Sequence, residues 1–588
     1  MRQFFTTFFA ALLALGVFTL VLFFLGIGLF SAATAEDKPN VKSGTILVLD
    51  ISKVLMEQPE DLGPLAANST GGDILGLHDF IQAIDHAAAD SAIKGIFLTG
   101  TYNPNGYAGS QELRAALLRF KASKKFITAY GSFIDQQAYS VMSVADDIYI
   151  NPAGSLEWVG YGMQLVFFKD ALSKLGVQPE IFYAGKFKSA TEPYRLNKMS
   201  DENRLQLRTI LEDIYGDFLK EAAARSKKDT ASLRQMAAQL SILTAQDAAD
   251  GGLVTGLAYD DEVRQKMADR TKVNRIDDLK LMSVSDYHKS YDKASGGDGE
   301  VAVLYAQGDI VDGTGGDGSI GGDAMRQMIR KLRFDKDVKA VVFRVNSPGG
   351  SALASEVMWR ELSLLRKEKP LVVSMGDYAA SGGYYISCMA DSIFTMPGTL
   401  TGSIGVFTML FDATLLMESK LGIHFDEVTT AAPAGMGSPF RKLTAVERRY
   451  FQEGVDSIYD KFITRVAEGR KLRKTYVDSI GQGRVWSGVK AVQLGLADKI
   501  GDQQAAIACA ARMAKLKNYR VTEWPELKSF WDKFLQGKEK DQLQASLQAA
   551  RQQLGFEVWW SWRQAQNLKG MAGQPQLRLP FVVKPAAW

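Results

Sequence analysis

The feature of the sequence that most constrains the fold is an internal repeat with a spacing of 245 residues. Ala145-Asp-Asp-Ile-Tyr149 reappears as Ala390-Asp-Ser-Ile-Phe394. Further pairs at this spacing are Lys94 and Lys339, Gly131 and Gly376, Tyr139 and Tyr384, Pro152 and Pro397, and Gly160 and Gly405. A period this long exceeds the roughly 20 to 50 residues of a solenoid unit, so it predicts one domain that is present twice. We place the two copies at residues 44–290 and 299–517.

Each copy alternates short apolar runs with amphipathic runs, which is typical of alternating strands and helices. In the second copy this pattern predicts strands at Val301–Ala306, Ala340–Val345 and Leu371–Met375, and a helix at Ala354–Lys367. Thr444-Ala-Val-Glu447 is a capping box, which predicts the start of a long helix that ends near Gly469. Strand, helix and strand at this spacing imply a largely parallel sheet covered by helices, and therefore an α/β fold.

Both ends of the chain lie outside the repeat. Phe4–Phe30 is almost wholly apolar, so residues 1–35 are predicted to form a short cytoplasmic tip and a transmembrane signal anchor. The alternative is a signal peptide that is cleaved after Ala33-Thr-Ala35, although the apolar core is longer than the ~7–15 residues of such peptides. Residues 520–588 are predicted to be a tail that packs on the protein, with a membrane-surface element as the alternative.

The composition excludes several classes of protein. The 588 residues include 69 basic and 66 acidic side chains, a net charge of +3, so no strong positive field indicates nucleic acid as a partner. The two cysteines cannot form a disulfide framework, and the four histidines lack the spacing of metal ligands. We therefore expect no metal ion and no cofactor.

Three glycine-rich segments occur close together in the second copy: Ser347–Gly350, Ala379–Gly383 and Thr399–Gly405. Each comes at or near the end of an apolar, strand-like run, and in a parallel sheet such loops gather at the carboxyl ends of the strands, where active sites form. Glycines there allow close approach of a substrate and leave backbone N–H groups for an oxyanion hole. A tight turn would explain one such segment, but three in succession favour a functional site.

The two copies differ where this chemistry would lie. Ser403 stands in Gly402-Ser403-Ile-Gly405 of the second copy, whereas the equivalent residue of the first copy is Trp158. The first copy contains Gly185-Lys-Phe-Lys-Ser-Ala-Thr-Glu-Pro193, and its counterpart at residues 431–439 has no lysine. One copy retains a serine and the other a lysine, which favours one composite site built from both.

Four segments together resemble the signature segments of the signal peptide peptidase A (protease IV) family, in its long double-domain form. They are RVNSPGGS at 344–351, YAASGGYYIS at 378–387, LTGSIGVF at 400–407 and GKFKSATEPY at 185–194. The resemblance implies that Ser403 is the nucleophile and Lys188 the general base, with the backbone N–H groups of Gly349 and Ser403 as oxyanion donors. It also implies two tandem crotonase/Clp-protease-like domains, each a spiral of ββα units. The chain would form a homo-oligomer, a tetramer, whose hydrophobic grooves bind extended peptides.

Two neighbouring residues compete with these assignments. A lysine acts as a base only when neutral, so the pKa of Lys188 would have to fall from about 10.4 toward 7 or 8, as burial would cause. Lys186 lies two residues away and is the obvious alternative base. Ser381 is the rival nucleophile, because Gly376-Asp-Tyr-Ala-Ala-Ser381 resembles the serine segment of Clp-type proteases. Those enzymes need a histidine shortly after the serine, whereas the next one here is His424, so we expect Ser381 in a turn that helps to orient the site.

The sequence therefore predicts a membrane-anchored serine endopeptidase that degrades cleaved signal peptides and other apolar peptides. Its partners would be these peptides, the lipid bilayer and further copies of itself. The expected location is the bacterial inner membrane, with a single span and the bulk of the chain on the periplasmic side. One alternative is a crotonase-type acyl-CoA enzyme, whose substrates would be cytosolic. The other is a non-catalytic membrane scaffold, against which the retained Ser403 and Lys188 argue.

Overall fold

The structure, a computed structural model, describes residues 7–8, 10–11, 13–19, 38–58, 75–291, 297–316, 318–526 and 574–579. The described residues between 7 and 19 are helical, while most of the predicted anchor Phe4–Phe30, and all of Ala33-Thr-Ala35, lie outside the described residues. Among the helices of the described ranges, none combines the length and the apolar character needed to cross a membrane.

Three sheets form the framework of the described chain. Their strands are β1 (Thr45–Asp50), β2 (Ile93–Thr99), β3 (Phe126–Ile134), β4 (Asp147–Leu156), β5 (Gln178–Ala184), β6 (Gly256–Leu257), β7 (Leu281–Ser283), β8 (Glu300–Gln307), β9 (Asp309–Val311), β10 (Ser319–Gly321), β11 (Val338–Ser347), β12 (Gly349–Ser351), β13 (Leu371–Ala380), β14 (Ser392–Thr395), β15 (Leu400–Gly402), β16 (Val406–Asp412), β17 (Val485–Ser487), β18 (Lys499–Ile500), β19 (Arg520–Trp524) and β20 (Gln576–Arg578).

Helices cover the sheets and connect their parallel strands. Those that follow residue 38 are α1 (Leu77–Ala89), α2 (Tyr107–Ala122), α3 (Gln136–Met142), α4 (Lys169–Leu175), α5 (Glu192–Arg195), α6 (Asp201–Ser226), α7 (Thr230–Ala238), α8 (Ala245–Asp250), α9 (Asp260–Thr271), α10 (Val284–Ser290), α11 (Gly322–Phe334), α12 (Ala352–Arg366), α13 (Gly382–Ser387), α14 (Ala445–Arg470), α15 (Lys474–Ile480), α16 (Gly488–Gln493) and α17 (Gln503–Met513). Short 3₁₀ turns occur at Ser189–Thr191 and Ile276–Asp278, and a π-helical turn at Leu415–Lys420.

The first sheet belongs to the first half of the chain and has the strand order β6-β4-β3-β2-β1-β7. Every pairing in it is parallel. Successive side chains of a strand point to opposite faces, so Leu47 and Leu49 enter one core cluster while Ile46 enters another. Burial on both faces explains why these strands are continuous apolar runs.

The second sheet repeats the first. Its order is β17-β15-β13-β11-β8-β19, with β14 beside β13 and β18 beside β14, and only the β15–β17 pair is antiparallel. The strands and the helix predicted in this half are confirmed, as is the capping box of Thr444 and Glu447 at the start of α14. The sheet also includes β19, which lies beyond the predicted boundary at residue 517. The bounds 44–290 and 299–517 themselves stay predictions.

The third sheet combines segments from distant parts of the chain. Its order is β10-β9-β12-β20-β16-β5. Strand β5 comes from the first half and pairs antiparallel with β16 of the second half along its whole length, from Gln178 to Ala184. Strand β20 comes from the predicted tail and lies between β12 and β16. The first half and the tail therefore complete a sheet that borders the glycine-rich turns.

A buried ion-pair network also joins the two halves. Arg344 of β11 is almost fully buried and lies 2.8 Å from a carboxylate oxygen of Glu57 and 2.7 Å from one of Glu112. Burial raises the pKa of Glu112 to about 7, while the positive charge of Arg344 acts in the opposite direction. Both carboxylates come from the first half, so loss of Arg344 would leave two buried acids without their cation.

Candidate active site

The glycine-rich turns lie side by side at the carboxyl ends of β11, β13 and β15. Ser347 pairs with Ala379, and Ala380 pairs with Gly402. Ser381 directly follows β13 and Ser403 directly follows β15. The N–H of Ser381 donates to the carbonyl oxygen of Gly402 at 2.8 Å, so strand pairing brings the two serines together at one edge of the sheet.

Lys188 belongs to the first half and reaches this edge because β5 pairs with β16. The pairing ends at Ala184 opposite Val406, the residue that opens β16 just after the Ser403 turn. Lys188 follows four residues beyond the end of β5. The loop then packs against Gly483, where a Cβ atom would lie only 2.6 Å from the backbone nitrogen of Lys188. Only glycine permits this close approach, and its φ of +77° also favours glycine.

The amine of Lys188 lies between two serine hydroxyls. Its Nζ is 3.0 Å from Ser403 Oγ and 2.8 Å from Ser381 Oγ, and it donates to the carbonyl oxygen of Ser403 at 3.2 Å. All three side chains are fully buried. An amine in this position, when neutral, can accept a proton from either hydroxyl.

The charge state of Lys188 follows from its surroundings. Burial lowers the pKa of Lys188 well below its ordinary value, because an ammonium ion loses its hydration in an apolar site. Within the part of the chain that the structure describes, no carboxylate forms an ion pair that would restore the charge. The geometry therefore brings together a serine hydroxyl and a lysine that is neutral at a lower pH than an exposed lysine.

Both serines have strained backbones. Their φ angles are 56° for Ser381 and 51° for Ser403, in the left-handed region that residues other than glycine rarely adopt. Such conformations persist only where the surrounding structure enforces them, and they cluster at active sites. Seven other non-glycine residues of the described chain also have positive φ angles, so the strain alone does not identify the site, and it does not distinguish Ser403 from Ser381.

The backbone groups predicted as oxyanion donors already have acceptors in the protein. The N–H of Ser403 donates to the carbonyl oxygen of Arg484 at 2.7 Å. The N–H of Gly349 donates to Ser347 Oγ at 3.2 Å. The oxyanion assignment stays a prediction, and it requires both groups to exchange these acceptors for the substrate oxygen.

The alternative bases lie in different surroundings. Lys186 is exposed, and its Nζ stands 5.5 Å from the centre of the Phe187 ring rather than beside a serine. His424 lies in an exposed segment of the second half. Of the nitrogen bases weighed from the sequence, the structure thus brings Lys188 into hydrogen-bonding distance of Ser403.

Gln206 supports the site and was missed by the sequence analysis. Its Nε2 donates to the carbonyl oxygen of Phe187 at 3.2 Å and to Ser189 Oγ at 2.8 Å. Its Oε1 accepts from the N–H of Val485 at 3.2 Å, so it ties the lysine loop to β17 of the second half. In the sequence Gln206 is only a single glutamine beside the apolar stripe of α6. It could not be identified from the sequence because such a residue is more often exposed.

Comparisons with known proteins identify the family of the chain. The sequence model of Peptidase family S49 matches residues 119–274, which contain Lys188, and residues 363–517, which contain Ser403. Protease 4 of Haemophilus influenzae is 36% identical over 453 residues, 74% of this chain and 72% of that protein. Protease 4 of Salmonella typhi is 34% identical over 531 residues, 87% of this chain and 85% of that protein.

A plant relative extends the comparison. The chloroplastic serine protease SPPA of Arabidopsis thaliana is 31% identical over 497 residues, 82% of this chain and 71% of that protein. The family match occurs once in each half, and the relatives align with both halves. The chain therefore belongs to Peptidase family S49 and is a serine peptidase.

Proposed function

We propose that the chain is a membrane-anchored endopeptidase in which Ser403 is the nucleophile and Lys188 the general base. The observation that carries this proposal is the 3.0 Å separation of Lys188 Nζ and Ser403 Oγ in a fully buried site. A serine hydroxyl is a weak nucleophile without an adjacent base. A lysine whose pKa is lowered by burial can supply that base.

In the proposed reaction, neutral Nζ accepts the proton of Ser403 while Oγ attacks the carbonyl carbon of a peptide bond. The C–N bond then breaks, the Lys188 ammonium returns the proton to the leaving amine, and the acyl group remains as an ester on Ser403. Water attacks this ester and gives a proton to Nζ, which returns it to Oγ as the acid leaves. Ser381 would hold the amine toward Ser403, and the N–H groups of Gly349 and Ser403 would stabilise the oxyanion.

A fluorophosphonate probe tests the nucleophile directly. We expect covalent labelling at Ser403, located by peptide mass spectrometry, because the probe reacts with an activated serine hydroxyl. Ser403→Ala should abolish the labelling, while Ser381→Ala should retain part of it. An acyl-CoA enzyme or a non-catalytic scaffold would remain unlabelled, so absence of labelling in the wild-type chain would refute the proposal.

We also propose that Lys188 and Ser403 of the same chain form the dyad. Mixing the Lys188→Ala variant with the Ser403→Ala variant tests this proposal. The support is that both residues of a single chain lie within hydrogen-bonding distance. The two single variants, unfolded and reassembled together, should then recover no activity. Recovery of a substantial fraction would mean that Lys188 of one chain serves Ser403 of another.

The proposed site of action is the periplasmic side of a bacterial inner membrane, and the proposed substrates are cleaved signal peptides and other apolar peptides. The support is the apolar segment Phe4–Phe30 in the sequence and the similarity to Protease 4 of two bacteria. Protease added outside spheroplasts should digest the bulk of the chain, and carbonate washing should leave the protein in the membrane. Release by carbonate would indicate cleavage or peripheral attachment instead.

The proposed architecture is a pair of crotonase/Clp-like domains assembled into a homo-oligomer, a tetramer. Within the chain, β5 of the first half pairs with β16 of the second. The equivalent segment of the second half, residues 423–429, is exposed and forms no strand, and Val428 there is 99% exposed. A second copy could pair with it, so Val428→Asp should lower the mass measured by analytical ultracentrifugation, whereas Leu240→Asp, at an exposed helix end, should not.

A further inference from the structure

Strand β20 occupies the groove beside the candidate active site in the manner of a bound peptide. It lies between β12, which contains Gly349, and β16, which follows Ser403. Its residues pair antiparallel with β12, with Arg578 opposite Gly349 and Gln576 opposite Ser351. The N–H of Leu579 donates to the carbonyl oxygen of Pro348 at 2.7 Å and extends this ladder toward Ser347. Main-chain pairing of this kind is how extended peptides bind along strands.

The groove allows the backbone of a bound strand to approach Gly349 closely. A Cβ atom on Gly349 would lie 1.9 Å from the carbonyl oxygen of Leu577, so any side chain at residue 349 would collide with β20. The φ of Gly349 is +102°, which also favours glycine. Strand β20 thus passes directly over Gly349, the residue predicted as an oxyanion donor. It therefore lies where the backbone of a substrate would run.

The side chains of this strand alternate between two surroundings. Leu577 is fully buried in the core of the second half, and Leu579 packs with Ala380 and Val485, the neighbours of Ser381 and Arg484. Arg578 points to the opposite face, as the period of a strand requires. There its guanidinium lies 2.9 Å from the carboxylate of Asp309 on β9. The groove therefore holds an apolar, a basic and an apolar residue in succession.

We propose that Asp309 is a specificity-determining residue that selects a basic side chain between two apolar ones in a bound peptide, and that the chain's own segment 576–579 occupies this groove as a substrate-like strand. The inference rests on the proposed peptidase function and adds the register in which a peptide binds. Both partners of the ion pair are partly shielded from water, at 13% and 29% side-chain exposure, so their attraction is screened less than that of surface charges.

The tethered strand has a consequence for affinity. A segment of the same chain competes with a free peptide at a high effective concentration, so it weakens the apparent affinity of any peptide that uses the groove. Changes in Arg578 weaken the internal competitor without touching the groove, whereas changes in Asp309 alter the groove itself. Arg578 variants therefore test whether the tail occupies the groove, and Asp309 variants test whether the groove recognises a basic side chain.

Binding to the full-length Ser403→Ala protein tests the proposal without any turnover. The probes are two fluorescein-labelled peptides, Gln-Pro-Gln-Leu-Arg-Leu and the same sequence with glutamate in place of arginine. By fluorescence anisotropy, the arginine peptide should bind roughly fivefold more tightly, which is the effect of one partly shielded ion pair. Arg578→Glu added to this protein should tighten binding of the arginine peptide by about the same factor, because the competitor is weakened.

Asp309 variants decide whether this preference originates in the groove. Asp309→Lys in the Ser403→Ala protein should reverse the preference, and the nearly isosteric Asp309→Asn should bring the two affinities close to equality. If Asp309→Lys fails to fold, as judged by thermal unfolding, Asp309→Asn carries the test alone. An unchanged preference in Asp309→Asn, or no tightening with Arg578→Glu, would overturn the proposal. Because the assay needs no nucleophile, failure of the Ser403 and Lys188 dyad would leave it readable.

Discussion

The two halves of the chain have different residues, in different surroundings, at one equivalent position of the repeat. In the second half this position is Ser403, whose buried hydroxyl lies 3.0 Å from Lys188 Nζ. In the first half it is Trp158, which is buried among apolar residues with its ring centre 5.6 Å from Tyr139 and 5.1 Å from Phe218. Its indole N–H donates to the carbonyl oxygen of Leu233 at 3.0 Å. At this position the first half packs an aromatic ring against other aromatic rings, whereas the second half holds a serine hydroxyl beside a lysine amine.

The surrounding scaffold is otherwise shared. Tyr139 and Tyr384, which are equivalent in the repeat, each donate a hydrogen bond at 2.8 Å to a backbone carbonyl, that of Leu253 and that of Leu496. The long helices α6 and α14 are also counterparts, and each has a hydroxyl cap, from Ser200 and from Thr444. The two halves thus share a buried tyrosine contact and a capped long helix, although they differ at Ser403 and Trp158.

The lysine loops differ in the same complementary way. The first half extends β5 across to β16 of the second half and so delivers Lys188. The equivalent residues 423–429 of the second half are exposed and form no strand. Neither half alone therefore contains both Ser403 and Lys188, and the contact between the two halves brings their side chains together.

Loss of either dyad member gives the largest expected effect. Ser403→Ala and Lys188→Ala should each lower kcat/KM for a peptide substrate by about a thousandfold or more, because members of a catalytic unit act together. The double variant should be little worse than either single variant for the same reason. The matched control is Lys186→Ala, an exposed lysine two residues away, which should retain wild-type turnover.

Near-normal turnover of Lys188→Ala would break the comparison, because the first half would then contribute no base. A double variant that is far worse than both single variants would also contradict it. In that case Ser403 and Lys188 would act independently rather than as one unit.

The next largest effect concerns the first half. Trp158→Ser introduces the residue type of the second half into a packed aromatic cluster, so it should lower the free energy of unfolding by about 3–5 kcal/mol. Denaturant unfolding followed by tryptophan fluorescence and by circular dichroism measures this change. The control Tyr102→Ser alters an exposed aromatic residue and should stay within about 0.5 kcal/mol. A stability loss no larger than that of the control would mean that Trp158 is not part of the first-half core.

The sequence was sufficient to predict those features that depend on local pattern. The matching segments of the two halves revealed the repeat, and apolar runs located three strands of the second half, at Val301–Ala306, Ala340–Val345 and Leu371–Met375, and the helix at Ala354–Lys367. The three glycine-rich turns were expected to lie together because parallel strands end at one edge of a sheet, and they do. The difference between Ser403 and Trp158 could be identified by aligning the two halves alone.

Long-range contacts could not be predicted in this way. The burial of Lys188 depends on β5 crossing to the other half, and pairing between strands so far apart in the sequence leaves no local signal. The N–H of Ser403 donates to the carbonyl oxygen of Arg484, a backbone contact that no side-chain pattern encodes. Strand β20 is three residues long, which is too short for the alternation of strands to be recognised.

The third effect is the pH dependence of activity, which tests whether Lys188 of the first half acts as the base. Activity should rise with pH, about tenfold per unit, through the depressed pKa of Lys188 and then level off. The plateau should begin well below the pH at which an exposed lysine becomes neutral. Measurement of kcat/KM from pH 5 to 10 with a peptide free of ionisable groups checks this expectation. A profile that rises only near pH 10 would show that burial does not activate the base.

The same burial makes stability depend on pH. Between the depressed pKa of folded Lys188 and the ordinary value near 10.4, the unfolded chain binds one more proton than the folded chain. The free energy of unfolding should therefore increase with pH across this window. Lys188→Met removes the amine and should remove this part of the increase in urea titrations at pH 7 and pH 9. An identical increase in both proteins would mean that the amine is protonated in the folded state.

The smallest effect concerns Ser381 and its equivalent in the first half. There the equivalent residue, Gln136, accepts from the N–H groups of Val159 and Gly160 and so braces the loop after Trp158. In the second half Ser381 instead contacts the amine of Lys188, with Oγ 2.8 Å from Nζ. The side chain at this position thus holds a loop in the first half and contacts the lysine amine in the second.

Ser381→Ala should consequently lower kcat by roughly tenfold, which is the effect of one lost hydrogen bond to the base, while KM changes little. The rate of fluorophosphonate labelling at Ser403 should fall in parallel, since it reports the activation of the hydroxyl rather than overall stability. The matched control is Ser387→Ala, because Ser387 is an equally buried serine that instead donates to the carbonyl oxygen of Gly383. That variant should leave the labelling rate unchanged.

If Ser381→Ala were as inactive as Ser403→Ala, Ser381 would take part in the bond-making step. If its labelling rate matched that of Ser387→Ala, Ser381 would be a turn residue like any other, and the contact with Lys188 would have no bearing on the reaction.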